Sequence, residues 1–377
     1  MAKSKKQKHA LRTLIILLVV LVLLAGGLYF GYRFLTDAMK TADADAREAA
    51  QKQTEQIMNT WKQQCDEISR ANEQLGMVEK PQPLQTGWDV VDMSSYAIES
   101  PVTVTTDRAQ LLSAGMTLVN YWHPIPVDQP EDQLLSVQIA LEKRWQTSGA
   151  NVKMFPAAVT ALDRMLTDAK AAGLEGYIVE SGYRTMEEQQ ASWDKEAAGS
   201  SYKNYSGEAL NQRVNKVVSL PGTSEYQSGF ACCLQRYKSG DSEFNRAFAG
   251  TEHSTWLLDN SWKYGFVFRY PITGYPASDT VDKSWITGRN NKLSIYRYVG
   301  EGNAAVMHAK DWCMEEYYEY LVSHPHLMLY ENGVLRYEIV RVKYDGEEEI
   351  SFQMCGKCTS VSAGMDNIGG VIVVMAY

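Results

Sequence analysis

Residues Thr13 to Tyr32 contain no charged side chain, and no other feature of the chain constrains its folding as tightly. As a helix, this run extends about 30 Å, enough to cross the hydrocarbon core of a bilayer. Lys3, Lys5, Lys6, Lys8 and Arg12 precede it and Asp37 follows. That asymmetry predicts a basic cytoplasmic tail at 1–12, a transmembrane helix at 13–32 and an extracytoplasmic remainder, a single-pass protein of the cell membrane. A cleaved signal peptide is the competing reading, because Leu14 to Leu24 fits an apolar h-region and Ala25-Gly26-Gly27 are small. The apolar run continues through Leu28-Tyr29-Phe30 to Tyr32-Arg33, which favours the anchor, and no Cys follows Ala25-Gly26 to accept a lipid.

Residues 33–77 read as a helical stalk. From Thr36 to Leu75 there is no Gly or Pro, and Gly76 and Pro81 supply the stop. Met58, Trp61, Cys65, Ile68, Asn72 and Leu75 alternate spacings of three and four, a short heptad seam with polar Asn72 at an a position. One stalk helix could lay this stripe on its own domain. Two could pair as a parallel homodimer, in which Cys65 would face its copy and form an interchain disulfide.

The 377-residue chain is 45% hydrophobic and carries a formal net charge of -8, with no basic stripe beyond the N-terminus, so nucleic acid is not an expected partner. Residues 78–116 form a Pro-punctuated lead-in. From about Thr105 to Leu321 helix and strand signals alternate. Pro156 to Ala172 has helical apolar spacing, Gly176 to Glu180 reads as a buried strand, and Thr185-Met-Glu-Glu188 has capping-box form. After His324 the pattern turns to period two. Leu327 to Tyr330, a turn at Asn332-Gly333 and Val334 to Val342 read as a hairpin; Glu349 to Met354 and Val371 to Met375 follow as strands, a small antiparallel β module over 324–377. Six cysteines are too few for a disulfide scaffold. Cys355-Gly-Lys-Cys358 is a lone CxxC, open to a local disulfide, free thiols, or a zinc site completed by Cys232-Cys233.

Four segments of the central region, in order, carry a resemblance. They are Ser181-Gly-Tyr-Arg-Thr185 with Gln189; Pro221-Gly-Thr-Ser-Glu-Tyr-Gln-Ser-Gly-Phe-Ala231; Trp256-Leu-Leu-Asp-Asn260 with Lys263-Tyr-Gly-Phe-Val-Phe-Arg-Tyr-Pro271; and Thr287-Gly288 leading to Tyr296-Arg-Tyr-Val-Gly300. Residues 117–323, from Leu118-Val-Asn120 to Glu315-Glu316-Tyr317, resemble the VanY-type D-alanyl-D-alanine carboxypeptidases, zinc enzymes that trim D-Ala from peptidoglycan stem peptides. The resemblance implies an α+β fold, a small antiparallel sheet with packed helices and a zinc cleft on the sheet face.

The departures from the family pattern fall on its chemistry. Tyr226 and Cys233 stand where the family places a His and an Asp that hold zinc. Lys292-Leu-Ser-Ile295 replaces Glu-Pro-Trp-His, so Lys292 takes the place of the general base and Ile295 that of the third ligand. Zinc needs about three deprotonated ligands and an open position. Ile295 offers none, Tyr226 is a neutral phenol near pH 7, and a cationic Lys292 accepts no proton from water. His123, His253 and His308 lie off the ligand positions. The pattern therefore predicts no zinc, no other cofactor and no intact catalytic residue. Arg184 matches the family's substrate-carboxylate arginine, and Tyr183, Gln189 and Ser224 keep their places. With Lys292 they are the candidate ligand-binding residues, although Ser181 to Thr185 also reads simply as a strand-to-helix turn. Three functions compete: a pseudopeptidase that binds stem peptides or scaffolds envelope proteins, a working D,D-carboxypeptidase with an altered metal site, and a structural ectodomain.

Overall fold

The computed structural model describes residues 81–377. The expected cytoplasmic tail, membrane span, stalk and Cys65 lie outside the described residues. Among the described residues no helix is long and apolar enough to cross a membrane. The Pro-punctuated lead-in forms two strands, β1 (Trp88–Asp92) and β2 (Pro101–Asp107).

The central region follows. Its sheet is built from β3 (Gln146–Thr147), β4 (Tyr177–Ser181), β5 (Ala231–Arg236), β6 (Phe266–Phe268) and β7 (Ile295–Tyr298), in the spatial order β3-β4-β5-β7-β6. All neighbours run antiparallel except the edge pair β3 and β4, which is parallel. Pro156 opens helix α1 (Pro156–Ala171), where its missing N–H is no loss. Ala158, Val159, Ala161, Leu162, Met165, Leu166 and Ala169 form the buried stripe of α1. This stripe covers one face of the sheet, packing with Val179, Cys232, Leu234 and Tyr296. Because side chains alternate along a strand, Ala231, Cys233 and Ile295 point to the opposite face, where the site lies.

The described residues also contain helices α2 (Met186–Ala197), α3 (Glu252–Asn260), α4 (Glu301–Lys310) and α5 (Met314–Ser323), besides Gly207–Asn215 and shorter turns. The chain then enters strands β8 (His326–Glu331), β9 (Val334–Lys343), β10 (Glu349–Cys355), β11 (Ser360–Met365) and β12 (Gly370–Ala376). These are not a contiguous C-terminal module. The lead-in strand β1 pairs with β8 to complete a five-stranded sheet, β1-β8-β9-β12-β11, and β2 pairs with β10 as a separate ribbon. One face of the five-stranded sheet packs α4 and α5 through Leu327, Leu329, Ile339, Ile372 and Val374. The other packs Val371, Val373 and Met375 with Phe352 of the ribbon and with Leu111 and Leu112 of the short helix that follows β2. Burial on both faces is why Val371 to Met375 is continuously apolar instead of alternating.

A turn staples this sheet to the start of the central region. Asp366 Oδ1 accepts from the backbone N–H groups of Ile368 and Gly370 at 2.8 and 2.9 Å, and Oδ2 accepts from Arg341 Nε at 2.6 Å. Asn367 Nδ2 donates to the carbonyls of Leu118 and Pro124 at 3.0 and 2.8 Å.

Candidate functional site

The site rests on a buried ionic lattice. Glu225, in a short 3-10 turn at Glu225–Ser228, accepts from Arg269 Nε at 2.5 Å and from Arg297 Nη1. Arg269 also forms a fork to Glu315, at 2.9 Å from Nη1 and 2.6 Å from Nη2. Asn120 Nδ2 donates to Glu315 at 3.0 Å, while Arg297 Nη2 donates to the carbonyls of Gly115 and Thr117. The four charged side chains are no more than 2% exposed. Removing such ions from water is costly, so the pairing and fork geometry are what make the arrangement tolerable. All these residues lie within or beside the motif segments, but sequence alone did not reveal that they meet. Two acidic and two basic residues scattered over a hundred positions give no local signal.

Against this lattice sits the face that carries Tyr226, Cys233 and Ile295, the three positions that the resemblance matches to metal ligands. Cys233 pairs directly with Ile295 across β5 and β7, and Tyr226 packs on both in a buried cluster with Ala231 and Tyr270. The three ligand positions thus come together in space as an apolar contact. Burial, then the neighbouring Cys233, raises the Tyr226 phenol pKa well above its ordinary value. Burial, then Glu180, whose carboxylate lies 3.5 Å from Sγ, pushes the Cys233 thiol up to about 12. A protonated phenol, a protonated thiol and an alkyl chain do not fit zinc. The same burial disfavours a thiolate at Cys233 and also at Cys232, which lies in the core under α1.

Arg184 is held over this cluster from three directions. The chain leaves β4 through Gly182, where any Cβ would come within 2.5 Å of the Lys153 carbonyl, so the turn requires glycine. Arg184 N–H donates to the Tyr226 carbonyl at 3.2 Å. Thr185 then caps α2 with a reciprocal bond to Glu188, as its sequence pattern indicates. The Arg184 guanidinium stacks on the Tyr226 ring, 4.2 Å from its centroid, and its Nη1 lies 3.5 Å from Gln189 Oε1. Gln189 is buried and donates to the Ser219 carbonyl at 2.7 Å, so it positions the arginine from below. Among the described residues Arg184 forms no ion pair with a carboxylate.

Lys292 is exposed, with Nζ 5.9 Å from the Tyr275 ring centroid, and likewise forms no ion pair among the described residues. Arg289 is a cation the sequence reading passed over. It is buried, donates to the Asn215 and Val217 carbonyls and to Ser219 Oγ, and leaves its Nε without a partner. Burial, reinforced by the like charges of Arg269 and Arg184, holds its pKa below the usual guanidinium value. The remaining candidates are placed differently. Ser224 is buried at the start of the 3-10 turn and its hydroxyl makes no capping bond. Tyr183 N–H is bound by the Lys153 carbonyl, and burial, then Glu131, raises its phenol pKa.

The histidines off the ligand positions serve the fold. His253 lies 2.8 Å from the Glu175 carbonyl and packs edge-on with Tyr177, and His308 stacks on Trp262. His123 is bonded to Asn120, and burial lowers its pKa to about 4. Among the described residues no group of three or more His, Cys, Asp or Glu is arranged to hold a metal ion.

Comparison with known proteins places this geometry. The VanY family model, described as D-alanyl-D-alanine carboxypeptidase, matches residues 151–285, a stretch that contains Arg184, Tyr226 and Cys233 and ends before Lys292 and Ile295. A D-alanyl-D-alanine carboxypeptidase of Enterococcus faecalis is 32% identical over 219 residues, 58% of this chain and 71% of the relative. The bifunctional D-Ala-D-Ala dipeptidase and D-Ala-D-Ala carboxypeptidase VanXYC of Enterococcus gallinarum is 28% identical over 211 residues, 55% of this chain and 95% of the relative. The crystal structure of the vancomycin resistance D,D-dipeptidase VanXYg, in complex with a D-Ala-D-Ala phosphinate analogue, superposes with a TM-score of 0.57. At 21% identity over 74% of this chain and 99% of that one, it matches in fold. With its four motif segments in register and this coverage of its relatives, the chain belongs to the VanY family of D-alanyl-D-alanine carboxypeptidases.

Proposed function

We propose that this chain is a metal-free member of its family, a pseudopeptidase that binds the free C-terminal carboxylate of peptidoglycan stem peptides without cleaving them. One observation carries the reading: the three family ligand positions, Tyr226, Cys233 and Ile295, are packed against one another in a buried apolar cluster while Arg184 lies across its aromatic face. A zinc-bound water would stabilise the transition state, so its loss removes catalysis but leaves ground-state contacts. The guanidinium of Arg184 offers two parallel N–H groups to a carboxylate, and its cation–π contact with Tyr226 holds the plane in place without consuming those donors. Lys292, exposed three residues before Ile295, would add an ammonium near the same cluster and keep the site electropositive with no metal. The names of the relatives make D-Ala-D-Ala peptides the natural ligand class. Anchoring by residues 13–32 would hold the domain at the outer membrane surface, beside the wall, and the stalk could pair two chains through Cys65.

The test is a titration of the purified protein with a stem peptide ending in D-Ala-D-Ala, beside the same peptide amidated at its C-terminus. The acid should bind at least about ten-fold more tightly than the amide, the value of a charge-assisted hydrogen bond of about 1.5–3 kcal/mol. Equal affinity would remove the carboxylate-reading role and favour a structural ectodomain. Chelator-sensitive release of D-Ala with about one zinc per chain would instead establish a working enzyme.

A further inference from the structure

The CxxC motif takes no part in the site above, and the fold gives it a specific position. Cys355 is the last residue of β10, which belongs to the two-stranded ribbon, and β11, which follows at Ser360, is the edge of the five-stranded sheet. The four residues between Cys355 and Ser360 are therefore a direct covalent passage from ribbon to sheet, beside a longer one from Asp92 to Pro101. The passage is a tight turn, in which Cys358 N–H donates to the Cys355 carbonyl at 3.3 Å. A turn closed in this way brings its end Cα atoms within roughly 7 Å, overlapping the roughly 4.4–6.8 Å that a disulfide spans. Both side chains face the same way: Cys355 is part of the core cluster between ribbon and sheet, and Cys358 packs against that cluster. Cys355 is 2% exposed, whereas Cys358 is partly open to solvent. Both are thiols in this structure. Among the described residues, Cys232 and Cys233 are buried in other clusters and Cys313 is buried at the N-cap of α5, leaving Cys355 as the neighbour of Cys358.

Besides its contact with the sheet through Phe352, the ribbon borders a cavity of about 560 Å³ lined by Tyr96, Thr103, His326, Arg341, Phe352 and Gln353. Part of its length therefore stands off the sheet. Its other strand, β2, carries the chain in from the N-terminal side.

We propose that Cys355 and Cys358 form a reversible disulfide by exchange with a low-molecular-weight or protein disulfide, closing the turn through which the ribbon passes into the five-stranded sheet. The more accessible Cys358, as thiolate, attacks one sulfur of the donor disulfide and releases the first donor thiol, leaving a mixed disulfide. The Cys355 thiolate then attacks Cys358 Sγ and releases the second donor thiol. Two protons and two electrons pass to the donor, one S–S bond is broken in it and one is formed in the protein.

The sequence supplies its own readout, because Lys357 lies between the two cysteines and trypsin cuts after it. The full-length chain, purified reduced, is treated with oxidised glutathione, blocked with iodoacetamide, denatured and digested without reductant. The peptide ending at Lys357 and the peptide beginning at Cys358 should then appear as one linked species that separates on reduction. Cys358→Ser should abolish it and Cys313→Ser should leave it intact. The oxidised wild type should melt about 4 °C above its reduced form, the scale of a short-loop crosslink, and Cys358→Ser should show no such redox difference. Unlinked peptides after oxidation, Cys358 ending only as a glutathione adduct, or Cys358 linked to a different cysteine would each overturn the assignment.

Discussion

Two neighbouring groups of side chains in the central region treat charge in opposite ways. Glu225, Arg269, Glu315 and Arg297 are wholly buried, and every charge meets an opposite one. Tyr226, Tyr270 and Ile295, each one or two residues away from a member of that lattice, form an apolar cluster attended by Arg184, Arg289 and Lys292. No carboxylate forms an ion pair with any of those three cations among the described residues. The lattice is what folding requires, since a buried ion without a partner would destabilise the chain by several kcal/mol. Arg289 is held by the Asn215 and Val217 carbonyls and Ser219 Oγ, so the positive charge on which the proposed carboxylate binding rests is that of Arg184 and Lys292.

The most drastic way to break this contrast is to rebuild the ligands. Tyr226→His, Cys233→Asp, Ile295→His and Lys292→Glu together should take bound zinc, measured by elemental analysis, from none to about one per chain, because the β5–β7 register that brings the positions together is intact. If the rebuilt chain folds yet stays metal-free, the supporting lattice has drifted from the family geometry and the contrast is wrong.

Breaking the lattice should be the next largest effect. Arg269→Ala leaves Glu225 short of a partner and Glu315 without one, and should lower unfolding free energy by about 3–5 kcal/mol in denaturant titrations. The same lattice should be sensitive to acid. Burial pushes the Glu315 pKa up, but the Arg269 charge and bonds more than offset it, so the net shift is downward. A carboxylate depressed in the folded state contributes stability above its ordinary pKa, and that contribution is lost as pH falls through the folded value. Melting temperature should therefore drop below the usual carboxylate range in wild type, and less steeply in Arg269→Ala. Parallel acid profiles would show that the lattice is not the pH-dependent element.

At the cluster the effects are on binding. Arg184→Ala should weaken the acid-terminated peptide by about ten-fold or more and leave the amide unchanged. Indistinguishable affinity in the mutant would mean that Arg184 persists only as part of the strand-to-helix turn. Lys292→Ala should cost about two- to three-fold, and the loss should fade at high salt, because an exposed ammonium is screened. A salt-independent defect at Lys292 would place it closer to the ligand than its exposure suggests.

Much of this was legible in the sequence because the signals are local. The capping box at Thr185, the turn at Asn332-Gly333 and the stripe of α1 each span only a few residues or one helix. Propensity, periodicity and motif spacing read such features directly. The tertiary structure decided what depends on distant segments meeting. The lead-in at 78–116 looked featureless because its strands gain their partners more than two hundred residues later, Trp88 opposite Glu331 and Pro101 opposite Cys355. Strand β11 was missed because Ser360 to Met365 is weakly apolar and gains its order from β12. The lattice and the Arg184–Tyr226 stack were invisible for the same reason. The expectation of a metal-free site rests on which residues are present, whereas the contact among Cys233, Ile295 and Tyr226 is a packing outcome, settled only once β5, β7 and the 3-10 turn bring them together.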